Sequence, residues 1–354
     1  MNFLSAALAL LSGVIGAGFA SGREIVRFFA AHGSAAPAAV LCAVAASAFF
    51  FLRLCAQLER SGCLSLPELC RLRFGQRLGG LCSCLFFVLC AVTGGAMLCA
   101  SAEIGALLLP LRHAYGVTLA ASLLSGMLLA RRETGGLALP GAALCMLLPA
   151  LLIPLLRMEG SEACFLPAMV PDPSVRAVMD GTSYGALNAA MLCPMLPVLL
   201  RLDARSRRRA VCLFSLLFGA LLALAVAVCQ RRMPEIFMQP MPFVYLSRSL
   251  GRGGYLLLCA CMFAAAFSTL LAMLLGLRRL LPRLSVRAAW PLCACVCLLF
   301  AEIGFGPLVS HGYPVLGALC AGLLFVLCLP GCPAASPAKH CKSCSSADEA
   351  DALR

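Results

Sequence analysis

Long apolar runs alternate along the chain with short polar loops that carry most of its charge. Runs of about eighteen or more apolar residues recur as far as about residue 330, and a helix of that length crosses a hydrocarbon core of about 30 Å. A membrane β-barrel would instead need alternating segments of about ten residues, and the sequence has none. The pattern predicts an all-α, polytopic membrane protein.

We interpret the apolar runs as ten membrane spans within one transmembrane domain, residues 1–330. Five spans fall in a first half, about 1–157, and five in a second half, about 172–330. The segment 331–354 is rich in Pro, Ser, Ala and charge, which predicts a disordered tail. The spans cover residues 3–30, 35–57, 78–109, 115–130, 136–156, 175–200, 209–230, 253–277, 288–306 and 309–330.

Composition agrees with a lipid environment, since 62% of the residues are hydrophobic and only 12% are charged, about half the charged fraction of a soluble domain. A net charge of +13 can indicate a nucleic-acid partner. Here the arginines lie in short loops between spans, where they set topology. We therefore expect the lipid bilayer and a small-molecule solute as partners and no nucleic acid. The sequence carries no signal for an oligomeric state.

The basic loop residues predict the orientation of the chain in an inner or plasma membrane. Eighteen Lys and Arg residues lie in the loops and tail on the N-terminal side of the bilayer, and seven lie on the opposite side. Basic residues favour the cytoplasm, so both termini are expected there, and an even number of spans follows.

Cysteines and catalytic motifs give no sign of an enzyme. Most of the 23 cysteines lie within apolar spans, where cysteine behaves as a small hydrophobe. In the tail, Cys341 and Cys344 next to His340 fall short of the four ligands of a structural zinc site. A phosphate loop and HExxH are absent from the sequence. We expect neither enzymatic activity nor a resident cofactor.

Two spans contain residues that disrupt helices at corresponding places. The first has three glycines within Gly16–Gly22, and the sixth has Asp180–Gly185 followed by Asn188, Pro194 and Pro197. Glycine costs about 1 kcal/mol in a helix and proline about 3. Broken helices at equivalent positions of two halves are typical of transporters built from inverted repeats. The alternative is close helix packing through small residues.

The first of these stretches carries a family resemblance. The run from Gly16 to Ile25, followed by two phenylalanines, resembles the first-helix signature of the YkvI-type membrane proteins, relatives of the amino acid–polyamine–organocation transporters. One departure is Leu187, where that family often has a second tyrosine. The further matches, which follow in order along the membrane domain, are Tyr184 with Asn188, Ile303–Gly306 and Tyr313–Gly317.

The resemblance implies a LeuT-like fold, with ten helices in two inverted five-helix repeats and with helices 1 and 6 discontinuous. It also implies a possible Na⁺ site, formed by the hydroxyls of Ser268 and Thr269 with the carbonyls of Ala17 and Ala20. Oxygen-only ligation suits a hard cation. The alternative is that these hydroxyls bond back to the preceding helical turn.

Candidate substrate contacts follow from the predicted breaks. An unwound stretch exposes backbone N–H and C=O groups at membrane depth, where few other partners exist. A solute carboxylate fits the N-terminal end of the helix that follows the first break. For Tyr184 the alternative is a packing tyrosine. The candidate residues are Gly16, Gly18, Phe19, Ser21, Gly22, Ser183, Tyr184 and Asn188.

Ionisable residues within spans are costly and are functional hypotheses by default. We expect Arg27 and Asp180 to form an extracellular gate pair. Glu24 or Glu103 is a candidate for a coupling proton, since burial favours the neutral form of a carboxyl group. The alternative is a fixed charge network that joins spans.

Two functions remain open from the sequence. The first is a secondary active transporter of a small solute, an amino acid or a related compound, that works by alternating access coupled to Na⁺ or H⁺. The second is a solute-sensing membrane receptor that has the same fold and transports nothing, because a fold does not dictate a function.

Overall fold

The computed structural model describes residues 2–63, 65–131, 138–157, 173–193, 196–282 and 284–329. Within these ranges the regular secondary structure is helical throughout, with no strand. The predicted tail, 331–354, lies outside the described residues.

Fifteen α-helices make up the described part of the chain. Short 3₁₀ helices at Ala30–Ala35 and Arg248–Leu250 and a π-helical turn at Leu308–Gly312 join some of them. The α-helices are α1 Phe3–Val14, α2 Ala17–Ser21, α3 Arg23–Phe28, α4 Ala36–Ser61, α5 Leu66–Leu108, α6 Ala114–Arg131, α7 Ala138–Arg157, α8 Pro173–Met191, α9 Leu196–Leu200, α10 Ala204–Gln230, α11 Pro242–Ser247, α12 Gly251–Leu280, α13 Val286–Ala301, α14 Phe305–Pro307 and α15 Tyr313–Cys328.

The helices confirm an all-α polytopic membrane protein. Helical structure occurs at each of the ten predicted spans. Leucines that point outward, such as Leu41, Leu216 and Leu299, are 70% exposed, and such apolar surface suits contact with lipid. Six segments of the described chain are long and apolar enough to cross a membrane, namely Ala30–Ser61, Leu66–Leu108, Ala114–Arg131, Ala204–Gln230, Pro242–Leu280 and Phe305–Cys328.

The predicted interruption of the first span is confirmed. Helix α1 ends at Val14, Gly16 is extended, and the chain turns again at Gly22 before α3 begins. Gly22 has φ +82°, a left-handed conformation that glycine adopts without the steric penalty of a side chain. The first predicted span therefore consists of the three short helices α1, α2 and α3.

The sixth span is divided near its predicted prolines and not at Asp180–Gly185. Helix α8 runs without interruption through Asp180–Gly185 and ends at Met191, and α9 begins at Leu196. The prediction of unwinding at Asp180–Gly185 was wrong because Gly181 and Gly185 serve close packing. A Cβ on Gly185 would lie 2.5 Å from the carbonyl oxygen of Ala43 in α4, and one on Gly181 would overlap the backbone of α4 as well. Pro194, which we expected to contribute to the break, lies outside the described residues.

One end of the bundle collects the arginines of several loops, and we call it the basic end. Arg53 and Arg73 donate hydrogen bonds to the last carbonyls of α15, at Cys328 and Leu329. Nearby, Arg207 of α10 forms a two-pronged ion pair with Glu59 of α4, at 2.6 and 2.8 Å. Helices α4 and α15 thus end together, beside the first residues of α5 and α10.

The α4–α8 interface generates a stability prediction. Replacing Gly185 with alanine should lower the thermal unfolding temperature in detergent, because the added methyl collides with the backbone of α4. Overpacking of this kind typically costs about 1–3 kcal/mol. The matched control is Gly322→Ala in α15, where an added Cβ meets open space and the temperature should stay or rise. Equal effects of the two substitutions would contradict the assigned packing.

Candidate functional site

The break between α1 and α2 lies against two long helices. A Cβ on Gly16 would lie 3.3 Å from Oγ1 of Thr269 in α12 and 3.9 Å from the sulfur of Met97 in α5. Every residue of α2 is buried. The interrupted backbone therefore sits inside the bundle, with a hydroxyl of α12 facing it.

A buried carboxylate, that of Glu24, lies just after the turn at Gly22. Glu24, in the first turn of α3, is 7% exposed, and the hydroxyl of Tyr184 in α8 donates to its Oε2 over 2.8 Å. Its Oε1 lies so close to Gly18 that a Cβ on Gly18 would overlap the carboxylate. The absence of a side chain at Gly18 therefore makes the room that Glu24 occupies.

Aromatic rings enclose this carboxylate–phenol pair. The ring of Tyr184 is fully buried, and its centroid lies 5.0 Å from that of Phe28 and 5.1 Å from that of Phe29. Asn188 is also buried, and its amide donates to the carbonyl of Tyr184 over 2.9 Å. Tyr184 thus both packs against other rings and makes a polar contact, which were the two alternatives for it. The side chain of Asn188 binds the backbone of its own helix.

Two buried hydroxyls that we did not predict lie on α15 and α5. Tyr313 of α15 is 1% exposed and Thr93 of α5 is fully buried. Tyr313 lies within electrostatic range of Glu24 and faces Thr93, but neither hydroxyl meets the geometry of a hydrogen bond within the described residues. Sequence signals existed, since Tyr313 lies in one of the family-like motifs and Thr93 precedes two glycines in an apolar run. Buried polar atoms without partners normally mark a missing partner.

A second polar cluster, which we call the outer cluster, lies at the end of the bundle opposite the basic end. Arg27 pairs with Asp180 at 3.2 Å, and Nε2 of the fully buried His32 lies at the same distance from that carboxylate oxygen. Arg23 donates to Oγ of Ser310 and to the carbonyl of Gln239, in the loop before α11. The structure thus brings the predicted pair Arg27–Asp180 together and adds three elements to it. Whether the pair opens as a gate stays a prediction.

The side chain of Ser21, a predicted substrate contact, binds the backbone of the interrupted segment. Oγ of Ser21 accepts the N–H of Arg23 over 3.2 Å and donates to the carbonyl of Gly18 over 2.9 Å. Phe19 is fully buried. Ser183 lies apart from this group, because its carbonyl faces Gly317 of α15.

The predicted Na⁺ residues are partly assembled. Thr269 faces Gly16, next to Ala17 and Ala20 in the buried α2. The hydroxyl of Ser268 donates instead to the carbonyl of Ala265 over 3.0 Å, which is the alternative expected for a hydroxyl in a membrane helix. Across the described residues, no group of three or more His, Cys, Asp or Glu side chains has the geometry of a metal site.

Glu103, the other predicted proton acceptor, lies in a separate cluster. Its Oε1 accepts from the thiol of Cys99 over 3.2 Å, and the hydroxyl of Tyr115 lies 3.5 Å from the same sulfur. The cluster joins α5 to α6, away from the contacts of α2 and α3.

A cavity of about 440 Å³ opens at the basic end. Glu68, Arg71 and Arg279 line it together with Ala190 and Met191 at the end of α8. The bundle therefore has a cavity at the basic end and a cluster of paired charges at the other end.

Fold and site together define a polytopic α-helical membrane protein with a broken first helix and a buried polar centre. Comparison with family models and with curated proteins finds no match to the chain.

The contact between Glu24 and Gly18 generates a coupling prediction. Gly18→Ala should lower the thermal stability, since the new methyl displaces the carboxylate from Tyr184, at a typical cost of about 1–3 kcal/mol. The same change in a Glu24→Ala background should cost much less, because the colliding group is gone. A double-mutant cycle from thermal unfolding measures the difference. Equal costs in both backgrounds would refute the contact.

The outer cluster generates a second prediction. Asp180→Asn removes the charge that Arg27 and His32 share, so residues 23–35 and 308–312 should exchange amide hydrogens faster in mass-spectrometric measurements. Glu302→Gln is the control, because it neutralises an exposed carboxylate near the same end. If exchange in those segments is unchanged in Asp180→Asn, the cluster does not hold this end closed.

Proposed function

We propose that this protein is a secondary active transporter of a small solute, an amino acid or a related compound. It works by alternating access in an inner or plasma membrane, coupled to Na⁺ or H⁺. One observation carries the proposal: the first helix is interrupted at Gly16 and Gly22 while buried among other helices, beside polar side chains. Irregular backbone at membrane depth is tolerated where it is buried in protein or lines a cavity, and transporters place their solute there.

Helix pairing supports two repeats related by an offset of five spans. Each of three helix pairs has a counterpart in which both helices are replaced by those five spans away. The pair α4–α8 corresponds to α10–α1, and the pair α15–α8 corresponds to α7–α1. The pair α13–α5 corresponds to α6–α12. Successive spans cross the bilayer in opposite directions, so two spans that are five apart run in opposite directions. The two repeats are therefore inverted, as in many transporters.

The two ends of the bundle support alternating access. The basic end carries the arginines expected in the cytoplasm, so the cavity there faces the cytoplasm and the outer cluster closes the external side. This corresponds to an inward-facing state. Opening outward requires Arg27 to part from Asp180 and Arg23 from the loop before α11.

The solute site proposed here lies at the break, between α2, α5, α8 and α15. The hydroxyls of Tyr313 and Thr93 offer hydrogen bonds that no described residue takes up. Thr269 and the backbone around Gly16 form the opposite side. The predicted substrate residues on α2 and α8 surround this position, except Ser183, which faces α15.

Transport itself is tested with purified full-length protein in proteoliposomes. Wild-type protein should accumulate at least one member of a mixture of radiolabelled amino acids when a sodium or proton gradient is imposed. Tyr313→Phe should weaken uptake about fivefold, since losing one hydrogen bond to a solute costs about 1 kcal/mol. The matched control, Tyr255→Phe at the start of α12, should transport normally. Solute-induced thermal stabilisation of wild type without any flux would instead establish the sensing receptor.

A further inference from the structure

Glu24 is buried and has no cationic partner within the described residues. By contrast, Asp180 is shared by Arg27 and His32, and Glu59 is paired with Arg207. Within the described part of the chain, the hydrogen bond that Glu24 accepts comes from the neutral hydroxyl of Tyr184. An isolated ionised carboxylate is strongly disfavoured when it is removed from water.

The charged groups on every element that packs against α3 are directed elsewhere. On α3 itself, Arg23 and Arg27 bind the outer cluster. On the 3₁₀ helix after α3, His32 faces Asp180. Helix α2 carries no charge.

The remaining neighbours of α3 add no counter-ion either. On α8, Arg176 is exposed, and on the π-helical turn, His311 is exposed. On α10, Arg207 pairs with Glu59, while the other arginines of its first turns are exposed at the basic end. No described charge is therefore placed to balance an ionised Glu24.

Glu24 also connects the parts that must move if the proposed function is correct. Its backbone belongs to α3, its Oε2 binds α8 through Tyr184, and its Oε1 fills the space above Gly18 in α2. A neutral carboxyl group lets these three elements pack together. An ionised one would draw in water or a cation and loosen them.

The cavity at the basic end is a source of water on the cytoplasmic side. The cavity at the basic end reaches Ala190 on α8, six residues beyond Tyr184, which is about 9 Å along a helix. A modest rearrangement of the end of α8 would therefore expose Glu24 to that cavity.

We propose that Glu24 is the carrier of the coupling proton, taken up from the outside and released into the cytoplasmic cavity. The inference rests on the proposed function, and it makes H⁺ the driving ion. One proton binds the carboxylate oxygen in the outward-facing state, and the same proton leaves to water when the end of α8 rearranges and exposes Glu24 to the cytoplasmic cavity. Glu103 is a less suitable carrier, because it lies in the cluster with Cys99 and Tyr115, outside the contacts of the broken helix.

The proton on Glu24 is tested without any solute by infrared spectroscopy of the full chain in liposomes. Wild-type protein should show a protonated carboxyl band at neutral pH. Glu24→Gln, which resembles the neutral carboxyl in shape, should lack that band, while Glu103→Gln should retain it. A wild type without the band, or a band unchanged in Glu24→Gln, overturns the proposal.

The coupling is tested by transport of a mixture of radiolabelled amino acids. For one proton per solute, a gradient of about one pH unit should support about tenfold accumulation by wild type and by Glu103→Gln. Glu24→Gln should retain exchange of labelled for unlabelled solute but lose accumulation. Proton-driven accumulation by Glu24→Gln overturns the proposal. If no form of the protein moves solute, the proposed function fails, while the infrared result still decides whether Glu24 holds a proton.

Discussion

The structure depends on how backbone hydrogen bonds are satisfied in a place without water. A continuous helix meets this requirement by itself, and most of the bundle is built that way. The first span does not meet it alone, because it is cut at Gly16 and Gly22. Ser21 binds both a carbonyl and an N–H of the broken segment, and neighbouring helices enclose the rest. Glu24, Tyr184 and Thr269 lie beside it.

This constraint links the two ends of the molecule to its centre. Helices α3 and α8 carry the outer cluster near one end, and they also carry Glu24 and Tyr184 deeper inside. The far end of α8 borders the cavity. A change in the position of α8 relative to α3 therefore affects the outer closure, the buried pair and the inner cavity together, as a single two-state element should.

The sequence predicted the class of fold, the ten helical regions and the first break, because apolar length and clustered glycines act locally. It wrongly predicted unwinding at Asp180–Gly185, since glycines such as Gly181 and Gly185 are found both where a helix unwinds and where it packs tightly. Only the approach of α4 distinguishes these cases. The pairing of Arg27 with Asp180 followed from the cost of buried charge. Tyr313 and Thr93 were missed because they lie on helices that are far apart in the sequence, and only the folded structure brings those helices together.

The central claim of the proposed function is that the main chain between Gly16 and Gly22 binds the solute. Amide hydrogen exchange of the full chain in liposomes tests it most directly, with and without a mixture of amino acids under a proton gradient. The account predicts that residues 15–24 exchange faster than residues 6–14 of α1 and become protected when solute is added. Exchange in 15–24 as slow as in α1, and unaffected by any solute, would contradict it.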